Sequence, residues 1–350
     1  MSQVLHTPIA PATAREQQRR DFLARQGQAD TPLQALAADA SARRYFRLTN
    51  AGLLLMDSPP VAEPLAPYLR VAELLQQVGL SAPKVLAADE EVGLALIEDF
   101  GHNTYTRLLA AGHVEQPLYE LAVDCLAELH RAPQGLGAVL PAYDTAHLAS
   151  EFALFCDWYL SLLSGEACPA DVRSEYLALF AGLCAEVAER REVVVLRDYH
   201  VDNLMLLDDR LGVAACGLLD FQDALHGAAA YDLMSLLQDA RRDVPEALQQ
   251  HLLQRYLAQR QELCAERLLA DYAVLAAQRH AKVLGIFVRL AQRDGKLGYL
   301  DHLPRVERLF QRALDAPALH PLRDFLDQRF TGWRAGPAPD ALAALRAATL

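Results

Sequence analysis

Three polar residues stand at the ends of apolar runs within residues 193–220, which read VVVLRDYHVDNLMLLDDRLGVAACGLLD: Asp198, Asn203 and Asp220. Asp198 follows a Val/Leu run of β type, so the chain leaves the core there and the carboxylate sits on a short, rigid loop. Asn203 comes five positions later, and Asp220 closes the next apolar strand, CGLLD. A carboxylate fixed in this way can orient and deprotonate a hydroxyl. A carboxamide and a second carboxylate can hold Mg²⁺ against nucleotide phosphates, which completes the parts that phosphoryl transfer requires. Mg²⁺ takes one or two protein oxygens and fills its shell with water and phosphate, so a sparse ligand pair suits it. A lone loop Asp or Asn is equally an ordinary turn former. The ordered set, placed after a strand-rich N-terminal segment, is what points to chemistry.

Elements on both sides must position these groups. Residues 13–27 predict a polar helix, with Thr13 as cap, Glu16 three residues on and Gly27 as terminator; Phe22 and Leu23 give it a narrow apolar stripe. Strands are predicted at 33–38, 43–48 and 53–57, with a small-residue turn at 39–42 and a hairpin turn at 50–52. A helix at 67–78 and strands at 84–88 and 92–97 follow, giving the order β-β-β-α-β-β. Helices then dominate: 118–130, 151–163, 173–190 and from 229 onward. The expected fold class is α+β, with a small antiparallel sheet lobe over residues 1–100 and a mainly helical lobe over 101–335. Residues 1–12 read as a loose leader, and the Ala/Pro-rich stretch 336–350 as a tail of low order.

Composition narrows the function classes. The 350-residue chain is 52% hydrophobic and 22% charged, enough for a sizeable core in two lobes. A formal net charge of −12 with no basic domain argues against nucleic-acid binding. Six scattered cysteines without a CxxC pair or Cys/His cluster argue against disulfides and structural zinc. No apolar run of signal-peptide or membrane-span length occurs, so a cytoplasmic protein with no membrane association and no obligate protein partner is expected.

With these elements in hand, residues 30–330 resemble the aminoglycoside phosphotransferase/choline kinase family, whose two-lobed fold is like that of protein kinases. The family pattern H-G-D-x-H-x-x-N is met at Asp198, His200 and Asn203, and its I-D-F/W at Leu219-Asp220-Phe221. The resemblance implies Asp198 as catalytic base, Asn203 and Asp220 as Mg²⁺ ligands, and ATP with Mg²⁺ as cofactors. Leu129-His130 matches a recurring Leu-His, and Tyr231-Asp232-Leu233 a structural Asp that buttresses the catalytic loop. Leu196 and Arg197 replace the His and Gly of H-G-D, and residues 39–46 contain no glycine. Met56 stands near the position of the usual phosphate-binding Lys. Arg43 or Arg44 is the candidate to replace that cation, with Glu73 as the usual partner of the missing Lys. The adenine edge is expected to bond the backbone of 98–100, around Glu98 and Phe100.

The strings ASARRYFRL, LLLMDSPP and VLGIFVRLAQRDGKLGYLDHLPRV resemble one branch of that family. These are bacterial cell-wall sugar kinases acting on the anomeric hydroxyl of N-acetylmuramate and N-acetylglucosamine. The implied product is the α-1-phosphate, in peptidoglycan recycling. A hemiacetal hydroxyl is more acidic than an ordinary alcohol, so a carboxylate base is adequate. Candidate substrate contacts are His200, Asp202, Glu151, Trp158 and Arg197, and the carboxylate of N-acetylmuramate would want an arginine among Arg197, Arg241 and Arg289. Two alternatives remain: an aminoglycoside- or choline-type acceptor, and a catalytically inactive kinase fold acting as a scaffold.

Overall fold

The computed structural model describes residues 13–37 and 42–348; the expected leader and most of the turn at 39–42 lie outside them. The first lobe is one antiparallel sheet in the order β1-β2-β3-β5-β4, from β1 (Leu33–Ala35), β2 (Arg44–Leu48), β3 (Leu53–Asp57), β4 (Val85–Asp89) and β5 (Leu94–Glu98). Helix α1 (Ala14–Arg25) precedes it, and α2 (Ala66–Gln77) connects β3 to β4. Period-two alternation assigns the two faces of the sheet. Leu48, Leu55, Leu94 and Leu96 meet Phe22 and Leu23 of α1 on one side. Met56, Ala95 and Ile97 point the other way, into the main core with Tyr68, Val71 and Leu75 of α2. Helix α1 is pinned by Asp57, which accepts from Arg15 Nε and Arg19 Nη1, each at 2.9 Å. Thr13 and Glu16 form the capping box expected from the sequence.

The second lobe begins with α3 (Tyr105–Ala110), α4 (Glu115–Arg131) and the single turn α5 (Gln134–Gly137). A continuous helical rod follows: α6 (Thr145–Leu154), a π-helical stretch over Phe155–Leu160, and α7 (Ser161–Ser164). Helix α8 (Ala170–Ala188) then leads into β6 (Val193–Val195). Beyond the loop come β7 (Leu204–Leu206), β8 (Cys216–Leu218) and β9 (Leu225–Gly227). Strand β6 pairs with β9 and β7 with β8, both antiparallel. The remaining helices are α9 (Ala230–Leu237), α10 (Glu246–Gln259), α11 (Ala265–Asp294), α12 (Leu303–Ala313), α13 (His320–Arg329) and α14 (Pro339–Ala348). The low-order tail expected at 336–350 is therefore helical through Ala348. Its alanines favour helix, and Ala341, Leu342 and Leu345 give it a side that packs on the core. No helix among the described residues is long and apolar enough to cross a membrane.

Helix α11 runs 30 residues through the centre of this lobe. It packs tightly at Gly285, where an added β-carbon would lie 2.2 Å from the Leu154 carbonyl oxygen, at the α6 to π-helix junction. Gly285→Ala should therefore destabilise the protein by about 1–3 kcal/mol through overpacking against backbone. Gly182→Ala, on an α8 site with nothing within 4 Å, should instead stabilise it by about 0.5–1 kcal/mol. Urea denaturation of both variants tests the opposite signs.

Candidate active site

The loop between β6 and β7 carries Asp198. Its backbone is held by Asp232, fully buried on α9, whose carboxylate accepts the N–H of Leu196 at 2.5 Å and of Arg197 at 2.9 Å. Burial pushes the Asp232 carboxyl up to about 7, although both N–H donors favour its ionised form. Arg197 takes a left-handed conformation, φ 72°, which a side chain with a β-carbon adopts only under constraint. The constraint is visible on three sides: the N–H bonds to Asp232, the carbonyl accepts from Arg279 Nη1 at 2.8 Å, and the guanidinium pairs with Glu151. This is the position where the family pattern has glycine, the residue that takes a positive φ most readily.

Asp198 emerges from that turn with its carboxylate half-exposed and 3.8 Å from Arg279 Nη2. Burial opposes its charge, but the positive groups of Lys282 and Arg279 outweigh that and hold the carboxyl below its ordinary value. Asp198 is thus an ionised, oriented acceptor at neutral pH. Asn203 closes the loop: its Nδ2 donates to the Asp198 carbonyl at 2.9 Å, and its own carbonyl accepts from Leu219 N–H at 2.9 Å. The last bond ties the Asp198 loop to the strand that delivers Asp220.

Asn203 and Asp220 both line a cavity of about 430 Å³ between the lobes, with Arg43, Tyr68, Ile97 and Phe100 among its other walls. Asp220 also sits at positive φ (56°), and the Phe221 ring stacks on Tyr68 of α2 at 4.9 Å, so both lobes fix this turn. The protein surrounding Asp220 raises its carboxyl above the ordinary range; Asp198 and Asp223 add to this, and Gln222 and Arg43 oppose it. A pair of oxygen donors on one cavity wall, with mutually unfavourable negative charge nearby, fits a hard divalent cation such as Mg²⁺.

A sequence model of the phosphotransferase enzyme family matches residues 32–277. The chain belongs to this family. An N-acetylmuramate/N-acetylglucosamine kinase of Caulobacter vibrioides is 36% identical, the match covering 91% of this chain and 97% of the relative. The enzyme of that name from Pseudomonas aeruginosa is 38% identical over 79% and 82% of the two chains. Among solved structures, a choline/ethanolamine kinase family protein of Mesorhizobium loti superposes with a TM-score of 0.59 at 16% identity, covering 95% of this chain and 99% of that one. An ADP-bound aminoglycoside phosphotransferase gives 0.54 at 17% identity, covering 84% and 97%. The fold is the two-lobed, protein-kinase-like α+β fold, and the chain is a phosphotransferase.

Within this phosphotransferase, Met56 is wholly buried in the core and brings no charge to the cavity. Arg43 does line it, with its Nη2 3.1 Å from Glu63 and its Nε 3.2 Å from Ser58 Oγ. Arg44 is exposed and donates to the Arg43 carbonyl; it is not among the cavity's walls. Glu73 is exposed and accepts from Gln77, one turn on, so the carboxylate beside the cleft arginine is Glu63 rather than the one expected. Glu98 and Phe100 both border the cavity. The Phe100 N–H makes no hydrogen bond within the described protein, whereas Asp99 N–H is used by the Gly52 carbonyl. The Glu98 side chain is turned toward Arg210, whose guanidinium also lies 5.0 Å from the Phe100 ring centre.

Two expected substrate contacts are committed elsewhere. Glu151 is buried, with its oxygens taken by Lys282 Nζ (2.8 Å), Gln278 Nε2 (2.9 Å), Tyr143 Oη (2.6 Å) and Arg197. That also commits Arg197. Trp158 lies half-buried against the core, and the neighbouring rings of Phe155, Tyr159 and Tyr176 stack on one another. An aromatic and acidic cluster on one helix is the same pattern whether it meets sugar or core, which is why the sequence alone suggested a site. His200 and Asp202 do face a second cavity wall or its Arg241: His200 Nε2 is 3.3 Å from Arg241 Nη1, and Asp202 is 3.1 Å from Arg241 Nε. The sequence reading missed Lys282 and Arg279. Their signal was present as Gln278, Arg279, His280 and Lys282, four polar residues close together in the mainly apolar stretch 274–291.

Burial opposes ionisation of Glu151, but Lys282 and Arg197 overcome it and depress the carboxyl below its ordinary 4.5. A depressed pKa contributes stability that is complete above the unfolded value and is lost as pH falls through the folded one. Glu151→Gln should cost about 3–5 kcal/mol at pH 7, because it leaves buried cations unpaired. The gap to the unmodified protein should narrow as the pH is lowered below the ordinary carboxylate range. Equilibrium unfolding of both proteins across pH 3–7 measures it.

Proposed function

We propose that this phosphotransferase is an ATP-dependent sugar kinase that phosphorylates the anomeric hydroxyl of N-acetylmuramate and of N-acetylglucosamine, giving the α-1-phosphates within cell-wall recycling. The observation that carries this reading is the 36% identity to a kinase named for those two sugars, spanning 97% of that relative and therefore both lobes. Relatives of the same name from Pseudomonas putida and Neisseria meningitidis, at 35% and 34% identity, support it.

The geometry gives each residue a part. Asp198 accepts the hydrogen bond of the attacking hydroxyl and takes its proton as the O–P bond forms and ADP leaves. Because Lys282 and Arg279 depress this carboxyl, it is a weak base, and its main service is orientation. An anomeric hydroxyl, more acidic than other sugar hydroxyls, is the acceptor for which a weak base suffices. Asn203 and Asp220 would hold Mg²⁺, which when bound neutralises and aligns the nucleotide phosphates. Arg43, braced by Glu63, supplies a fixed positive charge for the phosphates, and the Phe100 N–H is a free donor for the adenine edge. An intact set of polar groups around Asp198 disfavours a scaffold role, which would not need it.

Asp198→Asn should lower kcat by about 10²–10⁴-fold while the dissociation constant for a fluorescent ATP analogue moves little. Arg43→Met should raise KM for ATP by about 10-fold or more, in keeping with the loss of a charged hydrogen bond, with a smaller effect on KM for sugar. ADP release is to be followed with both amino sugars, choline and an aminoglycoside as acceptors. Turnover of the cationic acceptors and of neither sugar would sink the proposal.

A further inference from the structure

Resting on that sugar-kinase reading, we infer that Arg241 and Arg305 form a carboxylate-binding subsite that distinguishes the anionic acceptor from the neutral one. A cavity of about 430 Å³ lies against the catalytic loop, walled by Val201 and Asp202 of that loop and by Thr106, Arg241, Arg242 and Arg305. Asn203, the next residue, faces the nucleotide cavity instead. A molecule seated here therefore abuts the loop that carries Asp198, at Val201 and Asp202.

The cavity is positively charged in a chain whose net charge is −12. Its walls hold Arg241, Arg242 and Arg305 against Asp202 and Asp243, an excess of one positive charge. Arg241 is built in place. Its N–H donates to the buried Asp239 at 2.8 Å, and its carbonyl accepts from Arg305 Nη1 at 2.8 Å. Its guanidinium carbon lies 5.8 Å from the Phe287 ring centre, and Nε and Nη1 face Asp202 and His200. Arg305 Nε lies 3.0 Å from Asp243, a residue two-thirds exposed. The Nη2 groups of Arg241 and Arg305 make no hydrogen bond within the described protein. Two preset guanidinium groups with open donors suit a planar carboxylate, which can accept two parallel N–H bonds.

Of the two proposed acceptors, only N-acetylmuramate carries a carboxylate, on the lactyl ether that N-acetylglucosamine lacks. Of Arg197, Arg241 and Arg289, Arg197 is paired with Glu151 and Arg241 is the one that lines this cavity beside the loop. The neighbouring His302, which burial, Arg241 and Arg305 hold neutral, adds no competing charge.

The test is the ratio of kcat/KM for N-acetylmuramate to that for N-acetylglucosamine, measured on one preparation so that misfolding lowers both alike. Arg241→Met and Arg305→Met should each lower this ratio by about 10-fold or more, chiefly through KM for N-acetylmuramate, the size expected for a charge-assisted hydrogen bond. Arg241→Lys should recover part of it. A ratio within about 2-fold of the unmodified protein in both methionine variants, against the 10-fold expected, overturns the subsite while leaving the kinase reading intact. Failure of the unmodified protein to phosphorylate either sugar overturns the kinase reading and this inference with it.

Discussion

One buried carboxylate holds the loop that carries Asp198 in shape. Asp232 accepts two consecutive backbone N–H groups, from Leu196 and Arg197, across 36 and 35 residues of sequence. Those N–H groups have no strand partner, because the chain has just left β6, and an unpaired buried donor is costly. Satisfying both from one side chain bends the backbone into the left-handed turn at Arg197 and throws Asp198 outward. Burial raises the Asp232 carboxyl, and the two donors limit that rise. Without this carboxylate the turn would lose its reason to exist.

Helix α11 supplies the matching charge. Arg279 bonds the Arg197 carbonyl and approaches Asp198, while Lys282 neutralises Glu151. A buried ion cluster of this kind contributes little net stability but is expensive to break, since removing one member strands the others. Its use here is geometric: it fixes a loop whose residue at the strained position is arginine instead of glycine, and it keeps Asp198 ionised. The close contact at Gly285 sets how near α11 lies to the α6 rod, and so where these cations stand.

Charge placement puts fixed positive groups at both cavities of an acidic protein. Arg43 stands at one cavity beside the loop, and Arg241 and Arg305 at the other. All three are braced by carboxylates or carbonyls, so their side chains are ordered before a ligand arrives, which limits the entropy lost on binding.

Much of this was legible in the sequence. The strands at 43–48 and 53–57, the order of the first lobe's elements, the helical stripe at 118–130 and the spacing of Asp198, Asn203 and Asp220 all follow from local pattern and punctuation, which a single chain carries on its face. A cation next to a turn that lacked glycine was legible too, as Arg43 or Arg44, and only the fold puts Arg43 on the cavity wall. The tertiary structure alone decided what each charge meets. Glu63 rather than Glu73 braces Arg43, because proximity depends on how the connection from β3 to α2 folds back. Glu151 is a buried counter-ion, because Lys282, 131 residues away, reaches it. Ion pairs across such separations leave no periodic trace, so only the folded chain can assign them.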